Sequence, residues 1–138
     1  MTAVDLALPR LKTEEGFRAA VYRDTQGHQT IGYGFNLDAG ISKVAAESLL
    51  IAQAQERHDA LLKFPWYAAL DPVRQSVCLD VAFNNGLHGL LEFVHMLSAL
   101  AKQDWEGAAA ELLNSKAANL LPARYQSLAN ILRTGVST

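Results

Sequence analysis

The chain has 138 residues, half of them apolar and 19% charged, with 12 Lys and Arg against 14 Asp and Glu for a formal charge of −2. That is the size and balance of one compact globular domain, and it excludes a disordered chain and the basic footprint of a nucleic-acid binder. No apolar run approaches the roughly 20 residues that a membrane-spanning helix needs.

The opening segment MTAVDLALPRLKTEE sets Asp5 and Pro9 into its apolar part and lacks a basic start, so it does not read as a signal peptide. Its Leu6, Leu8 and Leu11 predict a helix that ends at Gly16. From Val21 to Leu37 the residues are Val, Tyr, Thr, Ile and Phe interrupted by Gly27, Gly32 and Gly34, which is strand and turn composition and the only β-like part of the chain. Ser42 fits an N-cap for the helical run KVAAESLLIAQAQERHDALLKF, which Pro65 stops. Asp71 and Pro72 read as N-cap and first position of a buried helix through Val73, Val77, Val81 and Phe83, closing at Asn85 and Gly86. The single cysteine, Cys78, lies beside Val77 and Leu79 and is expected to be a small buried residue in a reducing compartment. Asp104 caps WEGAAAELL, and Leu121 with Pro122 opens a last helix that stops at Gly135 after Arg133. The fold class is therefore α+β, mainly α, with one β-hairpin near the N-terminus.

With Gly27 in the hairpin loop, Asp24 and Thr30 are expected at its two rims as cross-strand partners about 5 Å apart. Period-2 alternation then puts Tyr22, Asp24, Thr30 and Gly32 on one face. Gly32 and Gly34 serve either as bulge positions or as places where a ligand meets the backbone, and local sequence does not separate the two. Glu15 ends the preceding helix nine residues before Asp24, with Gly16 between them, so the chain can fold back and bring a second carboxylate to the same groove. Two carboxylates flanking a groove suit glycosidic bond cleavage, in which one donates a proton to the departing oxygen and the other acts at the anomeric carbon. A threonine hydroxyl beside the second can hold a water. By residue type alone, an exposed helix-end Glu and a turn Asp explain the same positions.

The wider string EEGFRAAVYRDTQGHQTIGYGFNL, residues 14–37, resembles the signature of the phage-type lysozymes, glycoside hydrolase family 24. In that family a Glu followed by Gly, an Asp nine residues on in a Tyr-x-Asp context, and a Thr six further in Thr-Ile-Gly-x-Gly form the catalytic set. These fall on Glu15, Asp24 and Thr30. VAFNNG resembles the family's cleft-lining helix end, and Trp105 with its alanines and Arg133-Thr134-Gly135 resemble its C-terminal helices, so the likeness spans nearly the whole chain.

The resemblance implies a single lysozyme-like domain over 1–138. A hairpin lobe at about 15–41, a linking helix at about 42–63 and a helical lobe at about 64–138 that takes in the N-terminal helix would flank a cleft. It implies Glu15 as general acid, Asp24 as base or electrostatic partner acting through water, and Thr30 as the water-orienting hydroxyl. Tyr22, Gly32, Gly34, Phe83 and Asn84 become substrate-binding residues, and Arg124 the arginine that pairs with the catalytic Glu. The implied activity is that of a muramidase cleaving the β-1,4 bond between N-acetylmuramic acid and N-acetylglucosamine in peptidoglycan, without metal or cofactor. The implied setting is a monomeric phage or prophage endolysin, held in the host bacterial cytoplasm until a holin releases it to the cell wall in the periplasm, with no nucleic-acid partner and no stable membrane insertion.

The chain also departs from that pattern. Phe35 and Asn36 stand where many members carry His, so the buried His and Asp pair of some relatives cannot form. Lys116, Ala117, Leu120 and Leu121 replace Arg, Trp and polar residues near the substrate's peptide or sugar, and the charge of −2 contrasts with the basic totals of well-known relatives.

Other signals compete. His88, Glu92 and His95 at i, i+4 and i+7 offer three metal ligands on one helical face, but Gly86 and Gly89 argue for a break and exposed polar residues are the simpler reading. Trp66, Tyr67 and Trp105 sit in apolar helical surroundings that favour packing over sugar stacking. His28 at the hairpin tip reads as solvated. Two rival classes are a lytic transglycosylase, which uses one Glu and leaves an anhydro-sugar, and a non-catalytic peptidoglycan-binding relative. Asp24 and Thr30 argue against the first, and the intact triad against the second.

Overall fold

The computed structural model describes residues 1–137 and divides into two compact units, Met1–Leu49 and Leu50–Thr138. The architecture is α+β and mainly helical. In the first unit, helix α1 (Ala3–Glu15) begins on a capping box: the Thr2 hydroxyl accepts the Asp5 N–H, and the Asp5 carboxylate accepts the Thr2 N–H at 2.9 Å. The helix stops at Gly16, where φ is 70° and the N–H donates to the Lys12 carbonyl, a backbone turn that a side chain would strain.

Strands β1 (Arg18–Arg23), β2 (Gln29–Gly32) and β3 (Phe35–Asn36) form an antiparallel sheet in that order, one strand more than the expected hairpin. Tyr22 pairs with Thr30 and Arg23 with Gln29, and the Asp24 N–H donates to the His28 carbonyl at 2.9 Å. Asp24 therefore faces His28, which corrects the expected pairing with Thr30. The cause is turn length. Gly27 donates its N–H to the Asp24 carbonyl at 3.0 Å and so closes a four-residue turn rather than sitting at the centre of a longer loop. A two-residue slip preserves the faces, so Tyr22, Asp24, Thr30 and Gly32 still share one, and His28 joins them. A bulge between Arg18 and Tyr22 absorbs extra residues of β1 before Arg18 pairs with Gly32. On the other side Thr30 pairs with Asn36, whose Oδ1 caps a single 3-10 turn at Leu37–Ala39.

Helix α2 (Lys43–Leu61) starts on Ser42, whose hydroxyl accepts the Ala45 N–H at 3.1 Å. The division between the units falls within this helix. Beyond it come α3 (Pro65–Ala68), α4 (Pro72–Leu91), α5 (Val94–Ala101), α6 (Trp105–Leu113), α7 (Lys116–Leu120) and α8 (Pro122–Thr134). Asp71 and Pro72 start α4 as expected, the carboxylate accepting the Arg74 N–H. Its helical path breaks at Gly86, where φ is 79°, and resumes to Leu91. α8 packs on α4, α6 and α7 around a core that includes Val77, Val81, Leu112, Tyr125 and Leu132. Each buried aliphatic side chain contributes about 1.5–3 kcal/mol to that core. Cys78 lies wholly inside it, and burial pushes its thiol up to about 12.

Arg74 ties α4 to the end of α8. Its Nε donates to the Leu132 carbonyl at 2.8 Å, its guanidinium pairs with Asp71 at 3.0 Å, and its Cζ stands 3.9 Å from the centre of the Trp105 ring. Trp66 and Trp105 pack against the core, and the buried Tyr67 bonds His58 Nδ1 at 2.6 Å. No helix among the described residues is long and apolar enough to cross a membrane.

Candidate active site

Glu15 occupies the last turn of α1, and its carboxylate reaches the turn that joins β2 to β3. A Cβ added to Gly34 there would lie 2.9 Å from Glu15 Oε2, and Gly34 has φ 77°. Gly34 thus owes its identity to two demands at once, a left-handed backbone and room for a carboxylate. Gly32 has a different reason, since a Cβ at that position would meet the Phe35 ring at 3.0 Å. Gly32 also has φ 70° and pairs with Arg18 at the edge of the β1 bulge, in keeping with the bulge reading.

Asp24 sits at the mouth of the β1–β2 turn. Its Oδ1 accepts the N–H of Gln26 at 2.9 Å and of His28 at 2.8 Å, an Asx-type wrap that fixes the carboxylate plane. Oδ2 has only His28 Nδ1 nearby, at 3.5 Å, too long for a good hydrogen bond. The His28 N–H bond holds this carboxyl below the usual carboxylate range against the opposing pull of partial desolvation, with the Gln26 N–H and the His28 charge assisting. Asp24 is consequently an ionised group at neutral pH with one oxygen committed and one available.

Thr30 is the buried polar side chain of the described residues, 3% exposed. Its hydroxyl donates to the His28 carbonyl at 3.0 Å, which leaves its oxygen lone pairs as acceptors. The same carbonyl receives the Asp24 N–H. Residue 28, read from sequence as a solvated tip, is the hub through which Asp24 and Thr30 are joined. Its signal lay in the Asp-x-x-Gly-His spacing, which becomes legible once the turn is known to close at Gly27. Tyr22, opposite Thr30, carries the Arg18 guanidinium over its ring at 4.3 Å.

Phe83, Asn84 and Arg124 belong to the second unit. Phe83 is 42% exposed, with the Arg57 guanidinium 5.0 Å above its ring. Asn84 Oδ1 accepts from the buried Tyr125 hydroxyl at 2.6 Å, and Asn85 Nδ2 donates to that hydroxyl at 2.7 Å and to the Val81 carbonyl at 2.9 Å. Tyr125, which sequence reading passed over, thus fixes the helix end just before the break at Gly86. Arg124, cast by resemblance as the partner of the catalytic Glu, has another partner. Its Nε donates to Asp80 Oδ1 at 2.9 Å, a pairing made by the packing of α8 on α4.

Among the described residues no group of three or more His, Cys, Asp or Glu side chains is placed to hold a metal ion. His88 and Glu92 form an exposed pair at 3.1 Å, but α4 ends at Leu91 and His95 lies on α5, so the three are not on one continuous helical face.

An ionised carboxylate and a buried hydroxyl joined through residue 28, with a second carboxylate at a helix end in the same unit, are the residue types that acid–base hydrolysis uses. The family model for phage lysozyme matches residues 12–130, most of the chain. The chain belongs to the phage lysozyme family. Its fold is accordingly lysozyme-like and its general class that of a lysozyme-type glycosidase. A curated relative of the chain, "Probable T4-type lysozyme 1" of Dictyostelium discoideum, is 22% identical over an alignment that covers 91% of this chain and 92% of that protein. Within the phage lysozyme match fall Glu15, Asp24 and Thr30 as well as Phe83, Asn84 and Arg124.

Proposed function

We propose that the protein is a muramidase that hydrolyses the β-1,4 bond between N-acetylmuramic acid and N-acetylglucosamine in bacterial peptidoglycan. What carries this reading is the state of Asp24: Oδ1 saturated by two backbone N–H groups, Oδ2 free, and the group ionised. In the proposed reaction Glu15 gives its proton to the glycosidic oxygen as the bond to the anomeric carbon breaks. A water donates one hydrogen to Thr30 Oγ1, whose own proton is engaged by the His28 carbonyl, and the other to Asp24 Oδ2. Its remaining lone pair attacks the anomeric carbon, and Asp24 receives the water proton. Phe83 and Asn84 would meet the glycan, with Asn84 fixed by Tyr125. In this proposal Arg124, paired with Asp80 of α4 in the second unit, remains the catalytic-support arginine.

The proposal extends to a monomeric phage or prophage endolysin, held in the host cytoplasm until a holin opens the membrane and it reaches the wall. Mass spectrometry of digested peptidoglycan tests the chemistry. A reducing N-acetylmuramic acid end is expected; an anhydro end assigns a transglycosylase instead, and intact sacculi assign a binding protein.

A further inference from the structure

We propose that His28 is a positioning residue that sets the charge felt by Asp24 Oδ2, so that protonation of its imidazole weakens Asp24 toward water and slows turnover on the acid side. The inference rests on the reading of Asp24 as the group that receives the water proton.

Residue 28 contacts the site in four ways. Its N–H donates to Asp24 Oδ1 at 2.8 Å, its carbonyl accepts the Asp24 N–H at 2.9 Å and the Thr30 hydroxyl at 3.0 Å, and its Nδ1 stands 3.5 Å from Asp24 Oδ2. The first three are backbone or backbone-directed bonds that most side chains at position 28 would leave in place. The fourth depends on the imidazole alone and addresses the one carboxylate oxygen without a backbone donor. Imidazole is the side chain whose charge ordinarily changes near neutral pH. When neutral it leaves Oδ2 free to take a hydrogen from water. When protonated it sets a positive charge beside that oxygen, lowers its basicity and offsets the negative charge that would stabilise a developing oxocarbenium ion.

Other charged groups border the turn. Arg23 on β1 donates to the Gly27 carbonyl at 2.9 Å, and Asp38 in the 3-10 turn accepts the Gln29 N–H at 3.1 Å. Each is engaged with backbone beside residue 28, so Asp24 is the carboxylate that the imidazole itself meets.

The test is kcat against pH on purified peptidoglycan for the parent, His28→Gln, His28→Arg and Asp24→Asn, each checked for an unchanged circular dichroism spectrum. His28→Gln keeps the backbone bonds but cannot become cationic. It is expected to match the parent within about twofold at pH 7.5 and to exceed it by roughly three- to fivefold near pH 5, the scale of one unit charge a few ångströms away at an exposed site. His28→Arg, cationic throughout, is expected to be slower than the parent by the same factor at pH 7.5, with KM unchanged. Both differences should shrink in 0.5 M salt.

Superimposable profiles for parent and His28→Gln, or a fully active His28→Arg at pH 7.5, overturn the role of His28. If Asp24→Asn is inactive in that same series, the assignment of Asp24 stands without it. If Asp24→Asn turns over like the parent, the reading of Asp24 fails first and the inference falls with it. Should His28→Gln misfold, His28→Asn takes its place in the comparison.

Discussion

The Glu15 carboxylate fills the space in which a side chain on Gly34 would begin, with Oε2 only 2.9 Å from the Cβ position. Gly34→Ala must therefore displace Glu15 as well as strain a backbone at φ 77°. Gly27 offers a control, because its φ of 83° imposes the same strain but nothing lies within 4 Å of the added methyl. Both alanine variants are expected to lose about 1–2 kcal/mol of stability. Only Gly34→Ala is expected to lose wall-degrading activity, by tenfold or more. Thermal melts and turbidity clearing measured side by side separate strain from displacement, and equal activity in the two variants would contradict the seat assigned to Glu15.

Glu15→Gln keeps the shape of the side chain and removes its dissociable proton. General acid help is typically worth about 10²- to 10⁴-fold, so turnover is expected to fall by at least that much. Glu15 is exposed, so the melting temperature should hardly move. Folded, fully active Glu15→Gln would remove this residue from the chemistry.

In the proposed reaction, attack by a water held by Asp24 and Thr30 would invert the anomeric carbon. Proton NMR of a chitooligosaccharide or purified glycan during its first turnovers is expected to show the α-anomer ahead of mutarotation. A β-anomer would place Asp24 in direct bonding to the sugar.

Acid stability follows from two carboxylates. At Asp71 burial pulls the pKa upward, but the Arg74 N–H, guanidinium hydrogen bond and charge outweigh it, and at Asp24 the His28 N–H leads. Both groups are held below their ordinary value near 3.9. A depressed folded pKa gives stability that is present above the unfolded value and is lost as pH falls through the folded one. Denaturant melts are therefore expected to weaken below about pH 4. Asp71→Asn keeps the N-cap and removes the charge, so its melts should depend less on pH in that window. An unchanged slope would deny Asp71 that share.

Arg74 is a second handle on the same region. Lysine cannot reproduce a fork that bonds the Leu132 carbonyl and Asp71 while standing over the Trp105 ring. Arg74→Lys is expected to lower stability by about 2–3 kcal/mol with kcat per folded molecule unchanged, measured by urea unfolding of the purified variant.

Helix boundaries were the most legible part of this chain because capping chemistry is local. Gly16, Ser42, Asp71 with Pro72, Asp104 and Gly135 each satisfy or release backbone groups within a few residues, and each stands where the sequence put it. The short α3 and α7 and the apolar α5 were missed, the last because VHMLSALA starts without a side-chain cap. At the site, Glu15, Asp24 and Thr30 were picked by motif and fall in one unit. Their connections were not readable, because the register depends on where the turn closes and the Asp80 partner of Arg124 is 44 residues away. The reason for Gly34 was equally hidden, since the atom that requires it belongs to a helix nineteen residues earlier.

Cys78 adds something of practical use. It is the chain's one sulfhydryl, sealed within α4's packed face, where burial pushes its acidity up to about 12 and keeps it unreactive while the helix stays packed. Alkylation must therefore wait for the helix to part from its neighbours, so the labelling rate is a native clock for openings of the second unit. A glycan fragment that steadies this part of the molecule would slow that clock, reporting occupancy in a variant whose chemistry has been silenced.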